Sequence, residues 1–348
     1  MMRPGRPFPP LEEGEGGNSR SEFMYLVDET EEHCMKAETL FPYEYWGIEV
    51  LPGHVQMALE EFLIKRVAEL GRRPETRTAA VRFFSFPQDT IVLGYGQDTD
   101  IIKKRDSSFF LTRRVTGGSH VQTGMNTLAY TFVVPRDGKF ANYEEMRAYY
   151  ADLVARALKK LGIGPIEVDN KASIITVNGR IIASHAMFWG VRSALLHGLI
   201  ILHPYDVDKI AERVILQKRK IGNYFYSEYL ALKNLPAVSM ELEKKLARSL
   251  LRPSVLRQMV ADAILEYVAG NRPKRQQITS EVIRDSFQLA QKKYGAALWI
   301  QERRPPYGRD EVEAIPGEEL AGPLRSNLGY CLFSQVPDDD FKNMAEPE

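Results

Sequence analysis

The chain has 348 residues, 44% of them apolar and 26% charged, which suffices for one large hydrophobic core or two smaller ones. Lys plus Arg and Asp plus Glu both number 46, so no overall field draws the protein toward nucleic acid or an anionic membrane. No apolar run approaches membrane-spanning length, and the N-terminus lacks the apolar stretch of a signal peptide.

Residues 1–40 are rich in Pro, Gly and acidic side chains and read as a disordered tail. The first helical stripe is Val55, Ala58, Leu59, Phe62, Leu63, Val67 and Leu70, ending at Gly71. Two strands follow at 80–86 and 90–93, and a third at 127–134 is closed by the turn Pro135-Arg136-Asp137-Gly138. A second helix is expected over 143–161 with Gly162 at its end. Asn178-Gly179 between apolar runs at 173–177 and 180–183 is a type I′ hairpin signal, and 195–202 is another strand. Helices are expected at 240–251, 253–269 and 279–294. The fold class is therefore α+β, a mixed-sheet domain over 41–235 followed by a small, mainly helical accessory domain over 236–335 and an acidic tail at 336–348. The two cysteines, Cys34 and Cys331, lie near opposite ends of the chain. They give neither a disulfide framework nor metal spacing, so the expected setting is the cytoplasm, with no metal ligands in the chain.

The segment Arg113-Arg114-Val115-Thr116-Gly117-Gly118-Ser119 carries the most chemistry. Paired glycines let backbone amides converge on a phosphate or carboxylate, and two arginines bring fixed, planar cations beside it. A Thr-Gly-Gly turn is also an ordinary connection between strands, and paired arginines also end strands in solvent. The residues alone leave both readings open.

In order and spacing the chain resembles the lipoate–protein ligases and octanoyltransferases, which share a catalytic fold with biotin ligases. The resemblance rests on Arg-Arg-x-Thr-Gly-Gly before the strand at 128–132, on Met57-Ala58-Leu59-Glu60-Glu61-Phe62-Leu63, and on Val92-Leu93-Gly94-Tyr95-Gly96-Gln97. It continues through Val177-Asn178-Gly179-Arg180 and Leu196-His197-Gly198, and ends with Lys293-Tyr294-Gly295 and Leu298-Trp299-Ile300. It implies attachment of lipoate, or a similar medium-chain acid, to a lysine of a lipoyl acceptor domain of the glycine-cleavage H or dehydrogenase E2 kind. ATP and Mg²⁺ would supply an acyl-adenylate. Arg113, Arg114, Thr116, Gly117, Gly118, Ser119, His197 and Gly198 would then bind the acyl group, and Gln97, Asn178 and Gly179 the nucleotide. A lone histidine in an apolar strand, as His197 is, also occurs simply as a satisfied core residue.

One departure bears on activity. Relatives carry a lysine just past Asn-Gly-Arg, where this chain has Ile181, which leaves Lys171 and Arg180 as the candidate catalytic cations. The relatives' His-Asp pair is Thr123-Gly124 here, and Ser184-His185 replaces Gly-Ser. The alternatives are a non-catalytic homologue that binds lipoate or lipoyl domains, and an octanoyltransferase that uses no enzyme cysteine. A cysteine-based transferase is disfavoured because neither thiol lies near the motifs.

Overall fold

In a computed structural model, the structure describes residues 39–304 apart from 104–107, 222–223, 244 and 271–272. The expected tails, both cysteines and the last thirty or so residues assigned to the accessory domain lie outside the described residues.

The body is a mixed eight-stranded sheet in the order β13-β1-β2-β6-β10-β9-β8-β7. Its strands are β1 (Tyr43–Val50), β2 (Ala79–Ser85), β6 (Thr127–Pro135), β7 (Ile166–Asp169), β8 (Ile174–Val177), β9 (Arg180–Trp189), β10 (Ser193–Ile201) and β13 (Lys274–Arg275). β1 pairs in parallel with β2 and β13, and the other ladders are antiparallel. β6 is buried along its whole length, which is why it reads as an apolar run interrupted only by small hydroxyls. The Asn-Gly signal is realised: Asn178 and Gly179 both have positive φ, at 51° and 73°, and join β8 to β9.

Helix α1 (Gly53–Leu70) lies on one face of this sheet and α2 (Tyr143–Lys160) on the other. Asn142 caps α2, its side chain accepting the Glu145 amide. The α2 face carries a core of Val81, Phe83, Tyr130, Phe132 and Leu196, to which α6 (Pro253–Ala269) adds Leu256, Val260 and Ile264. The α1 face carries a second core of Ala80, Phe84, Ala129, Val133 and Leu195 under Val55, Leu59 and Leu63. Tyr294 and Trp299 join that core from the C-terminal side. The boundary expected near residue 235 thus separates stretches that share both cores.

A small sheet, β4-β3-β5, sits at the α1 face and is made of β3 (Thr90–Leu93), β4 (Phe110–Arg113) and β5 (Val121–Thr123). Strands β11 (Lys218–Ile221) and β12 (Tyr224–Ser227) form a separate ribbon. The remaining short helices are α3 (Val207–Arg213), α4 (Glu228–Lys233) and α5 (Val238–Leu242).

Two helix expectations are corrected. The helix placed at 240–251 is broken into α5 and a 3₁₀ turn at Arg248–Leu251, because the backbone at Ala247 between them is extended, with ψ of 143°. The helix placed at 279–294 is α7 (Ser280–Leu289) followed by a π-helical turn, Ala290–Tyr294, before α8 (Ala297–Glu302). The wider turn delivers the neighbouring side chains of Lys293 and Tyr294 to one carboxylate, Glu61 on α1. No helix among the described residues is long and apolar enough to cross a membrane.

Candidate active site

Sheet register places Arg82 on β2, Thr131 on β6, His197 on β10 and Ala186 on β9 in one row across four adjacent strands. Their side chains stand on the α1 face, and Glu60 of α1 comes down on the row. Its Oε1 accepts from Thr131 Oγ1 at 2.7 Å and from His197 Nδ1 at 2.8 Å. Burial alone would raise the Glu60 pKa, but His197, Thr131 and Arg82 together outweigh it and hold the group below its ordinary value. Glu60 is therefore a carboxylate. Arg82, 1% exposed, donates to the carbonyl of Gln56 at 3.3 Å and to its side-chain oxygen; burial lowers its pKa to about 10, so it stays cationic at neutral pH.

Beside this row two loops lie back to back, one after β3 (residues 94–97) and one after β4 (residues 114–120). The Tyr95 amide donates to the Thr116 carbonyl at 2.8 Å and the Arg114 amide to the Leu93 carbonyl at 3.0 Å. Gln97 Nε2 meets His120 Nδ1 at 3.1 Å, bridging the loops again. Gly118 has φ of 93°, a conformation that a side chain would strain. His120 is kept neutral, its pKa lowered to about 4 by burial and by Arg114.

Both guanidiniums grip backbone carbonyls. Arg114 Nη2 donates to the carbonyls of Gly117 and Ser119 at 2.7 Å each, Nη1 to Val92 at 3.1 Å, and Nε to Thr116 Oγ1 at 2.8 Å. Arg113 turns the other way, holding the carbonyls of Gly94 at 2.7 Å, Tyr95 at 2.9 Å and Gln97 at 2.6 Å, and reaching Ile300 on α8 at 2.9 Å. The Trp299 indole donates back to the Arg113 carbonyl at 2.9 Å, and Thr112 Oγ1 to that of Tyr294 at 3.0 Å. The C-terminal helical turns are thereby clipped onto the double loop.

A planar trans peptide points its N–H opposite to its C=O. With the carbonyls of Thr116, Gly117 and Ser119 tied to Tyr95 and Arg114, the following amides of Gly117, Gly118 and His120 are turned outward. The amides of Gly117, Gly118 and His120 donate to no acceptor among the described residues. The loop is half-buried, with the cationic Arg114, pKa lowered to about 10 by burial, fixed underneath. Outward amides over a buried cation are the kind of arrangement with which a backbone can hold an anion.

Residues 52–263 match the lipoyl protein ligase A/B catalytic domain. The chain belongs to that family.

Among its relatives is lipoate-protein ligase LplJ of Bacillus subtilis (strain 168), 23% identical over 271 residues, which are 75% of this chain and 74% of LplJ. The solved structure of lipoate-protein ligase A bound with ATP aligns with a TM-score of 0.55 and 18% identity, over 74% of this chain and 97% of the other. A structure of a bi-partite lipoate protein ligase and its E2 lipoyl domain from Thermoplasma acidophilum gives 0.57 and 17%, over 74% and 96%. The mixed-sheet α+β fold of this lipoyl ligase family member is that of the lipoate protein ligases.

In this family member the residues singled out in the sequence fall into two places. Arg113, Arg114, Thr116, Gly117, Gly118, Ser119, Gln97 and His197 converge on the double loop and the row beneath it. Asn178, Gly179, Arg180 and Lys171 stand instead at the two ends of β8: the first three form the hairpin tip, and Lys171 is exposed in the turn before β8. Arg180 pairs with Val177, which points into the α2-face core, whereas Ile181 pairs with Thr176 on the α1 face that also carries His197. Gly198 serves packing, since a Cβ there would lie 2.2 Å from the Tyr130 ring, whose hydroxyl contacts His185 Nδ1 at 2.8 Å.

Sequence reasoning missed Glu60, Arg82 and Trp299 as parts of the site. A cation inside the apolar run Ala79–Ser85 was the available signal for Arg82. Glu60 gave none, because an acid on an amphipathic helix reads as solvent-facing until the sheet row is known.

Proposed function

We propose that this chain joins lipoate, or a similar medium-chain acid, to a lysine of a lipoyl domain through an acyl-adenylate made from ATP. The observation that carries the reading is the set of outward amides at Gly117, Gly118 and His120 over the buried Arg114. A free carboxylate is a poor electrophile. Its oxygen attacks the α-phosphorus of ATP, pyrophosphate leaves, and the acceptor ε-amine then attacks the acyl carbon and releases AMP. Both steps gather negative charge on oxygens beside the loop, where preorganised N–H groups and a fixed cation lower the barrier most.

In this reading the loop amides hold the carboxylate and then the mixed anhydride. Arg114 contributes its field and keeps the amides aimed outward, while Gln97 and His120 shape the nucleotide rim. Half-buried Val121 and Leu199, packed at the edge of the α1-face core, offer the acyl chain an apolar wall. Magnesium enters with the ATP phosphates as part of the substrate. The name of LplJ and the ATP and lipoyl-domain structures of relatives support these choices of acid, nucleotide and acceptor.

Ile181 favours one second reading. A hydrocarbon stands on the site face where the family resemblance implies a lysine, so the chain would bind lipoate or a lipoyl domain without turning over. Incubation with ATP, Mg²⁺, lipoate and a lipoyl domain, read by intact mass and by pyrophosphate release, separates the two. A modified acceptor supports the ligase; lipoate binding with no pyrophosphate supports the binding homologue.

A further inference from the structure

We infer that Glu60, acting through His197 and Thr116, is the positioning residue that fixes the Arg114 fork and thereby the outward set of the glycine-loop amides. The inference deepens the acyl-activating reading and rests on it.

Four groups stand in series. Arg114 Nε lies 2.8 Å from Thr116 Oγ1, Thr116 Oγ1 lies 2.7 Å from His197 Nε2, and His197 Nδ1 lies 2.8 Å from Glu60 Oε1. Their exposures are 5%, 0%, 8% and 1%, so water does not compete for any link. For a neutral His197 imidazole the proton directions follow from chemistry. A guanidinium only donates and a carboxylate only accepts. Thr116 therefore takes the Arg114 proton and gives its own to His197 Nε2, while His197 Nδ1 donates to Glu60. His197 is held in one tautomer, protonated at Nδ1. Every bond points from the cation to the anion, and in a buried setting such a chain polarises cooperatively.

The far end of the chain is what matters for the site. With Nε tied to Thr116, the plane of the Arg114 guanidinium is set, and only in that plane does Nη2 reach the carbonyls of both Gly117 and Ser119 at 2.7 Å. Those two bonds turn the Gly118 and His120 amides outward. If the hydroxyl link is lost, the fork can rotate, the loop carbonyls are released and the amides no longer converge. Thr131 and Arg82 anchor the opposite end by holding Glu60 over the row.

The test uses the full chain and compares Thr116→Ser, which keeps the hydroxyl, with Thr116→Val, which keeps only the shape; Glu60→Gln removes the terminal charge. Thr116→Val and Glu60→Gln are expected to lower kcat for lipoate-dependent pyrophosphate release by roughly 10- to 100-fold, as loss of an orienting partner usually does. Thr116→Ser should recover most of the activity that Thr116→Val loses. Independently of turnover, hydrogen exchange of the 116–120 amides should accelerate in Thr116→Val and not in Thr116→Ser. Nitrogen NMR of the wild type should show His197 protonated at Nδ1 and bare at Nε2. If the wild type releases no pyrophosphate but the exchange and NMR results hold, the relay stands and the ligase reading falls. If the wild type is active while Thr116→Val matches it in kcat and loop exchange, the relay is overturned and the ligase reading stands. Should Glu60→Gln fail to fold, the Thr116 pair still decides.

Discussion

Gly94 and Gly118 face each other across the two loops so closely that a Cβ on Gly94 would lie 1.8 Å from the Gly118 carbonyl oxygen. Gly96, two residues on, has nothing within 4 Å of its own Cβ position. The same turn thus contains one glycine demanded by contact and one in open space. The two nearest atoms, the Gly118 carbonyl oxygen and carbon, are backbone, which cannot rotate away as a side chain would. Gly94→Ala is expected to separate the loops at a cost of about 1–3 kcal/mol or more and to abolish lipoate-dependent pyrophosphate release. Gly96→Ala should stay within about 0.5 kcal/mol of wild type. Thermal melts and the release assay check both, and equal effects of the two substitutions would contradict the contact.

Adjacent acids on α1 divide the labour of holding the site. Glu60 faces the strand row, while Glu61 receives Lys293 Nζ at 2.8 Å and Tyr294 hydroxyl at 2.6 Å, with Lys65 at 2.9 Å on its other oxygen. Burial alone would raise the Glu61 pKa, but Lys293, Lys65 and the Tyr294 bond outweigh it and keep the group a carboxylate. Removing the acid takes a hydrogen-bonded carboxylate from a buried ammonium that lies 4.3 Å over the Trp299 ring, whereas removing Lys293 leaves Glu61 with two partners. Glu61→Leu is expected to cost about 3–5 kcal/mol and Lys293→Met clearly less. Urea midpoints measure the order, and Lys293→Met proving the costlier of the two would contradict this assignment.

His185 gives the fold a dependence on acid. It is buried beside Tyr130, and burial followed by the charge of Arg147 lowers its pKa to about 3 from the ordinary 6.5. The unfolded chain therefore binds a proton below 6.5 that the folded chain refuses until about 3. This contribution is fully present above pH 6.5 and is lost as pH falls from 6.5 toward 3. His185→Gln keeps an acceptor for the Tyr130 hydroxyl but does not titrate. Its melting temperature should fall less steeply than that of the wild type between pH 6.5 and 4. Parallel curves would show that His185 does not set the slope.

What was legible in the sequence was local. The α1 stripe, the β3 run and the Asn-Gly corner depend on periodicity and turn chemistry within a few residues, and the loop at Thr116–Ser119 announces itself through its paired glycines. What was hidden depends on register between distant strands. Arg82, Thr131 and His197 become one row only when β2, β6 and β10 pair, and Glu60 acquires its partners only when α1 lies on that row. Arg113 and Arg114 read as a matched pair, yet neighbouring residues at a strand end diverge: one clips α8 and the other braces the loop. The buried-histidine reading of His197 also proved informative, since both of its nitrogens are engaged.

Ile181 is the position where a substitution should add function. Its pairing with Thr176 puts it on the α1 face, and the shift in register lies beyond it, between the Ile175 and Thr176 pairs, so Arg180 remains on the opposite side. Thr176 Oγ1 is buried there without a hydrogen-bond partner among the described residues, so the neighbourhood can accept a donor. Ile181 itself is only half-buried, which lets a longer side chain extend toward solvent-accessible space and spares a lysine most of the desolvation that full burial would impose. If acyl-adenylate formation is limited by missing positive charge, Ile181→Lys should raise its single-turnover rate by roughly 10²- to 10³-fold, the usual worth of one preorganised donor. Ile181→Met, unbranched and uncharged, should not. Rapid-quench measurement of adenylate with ATP and lipoate makes the comparison. Equal rates in the wild type and both variants would mean that charge at this position does not limit the reaction.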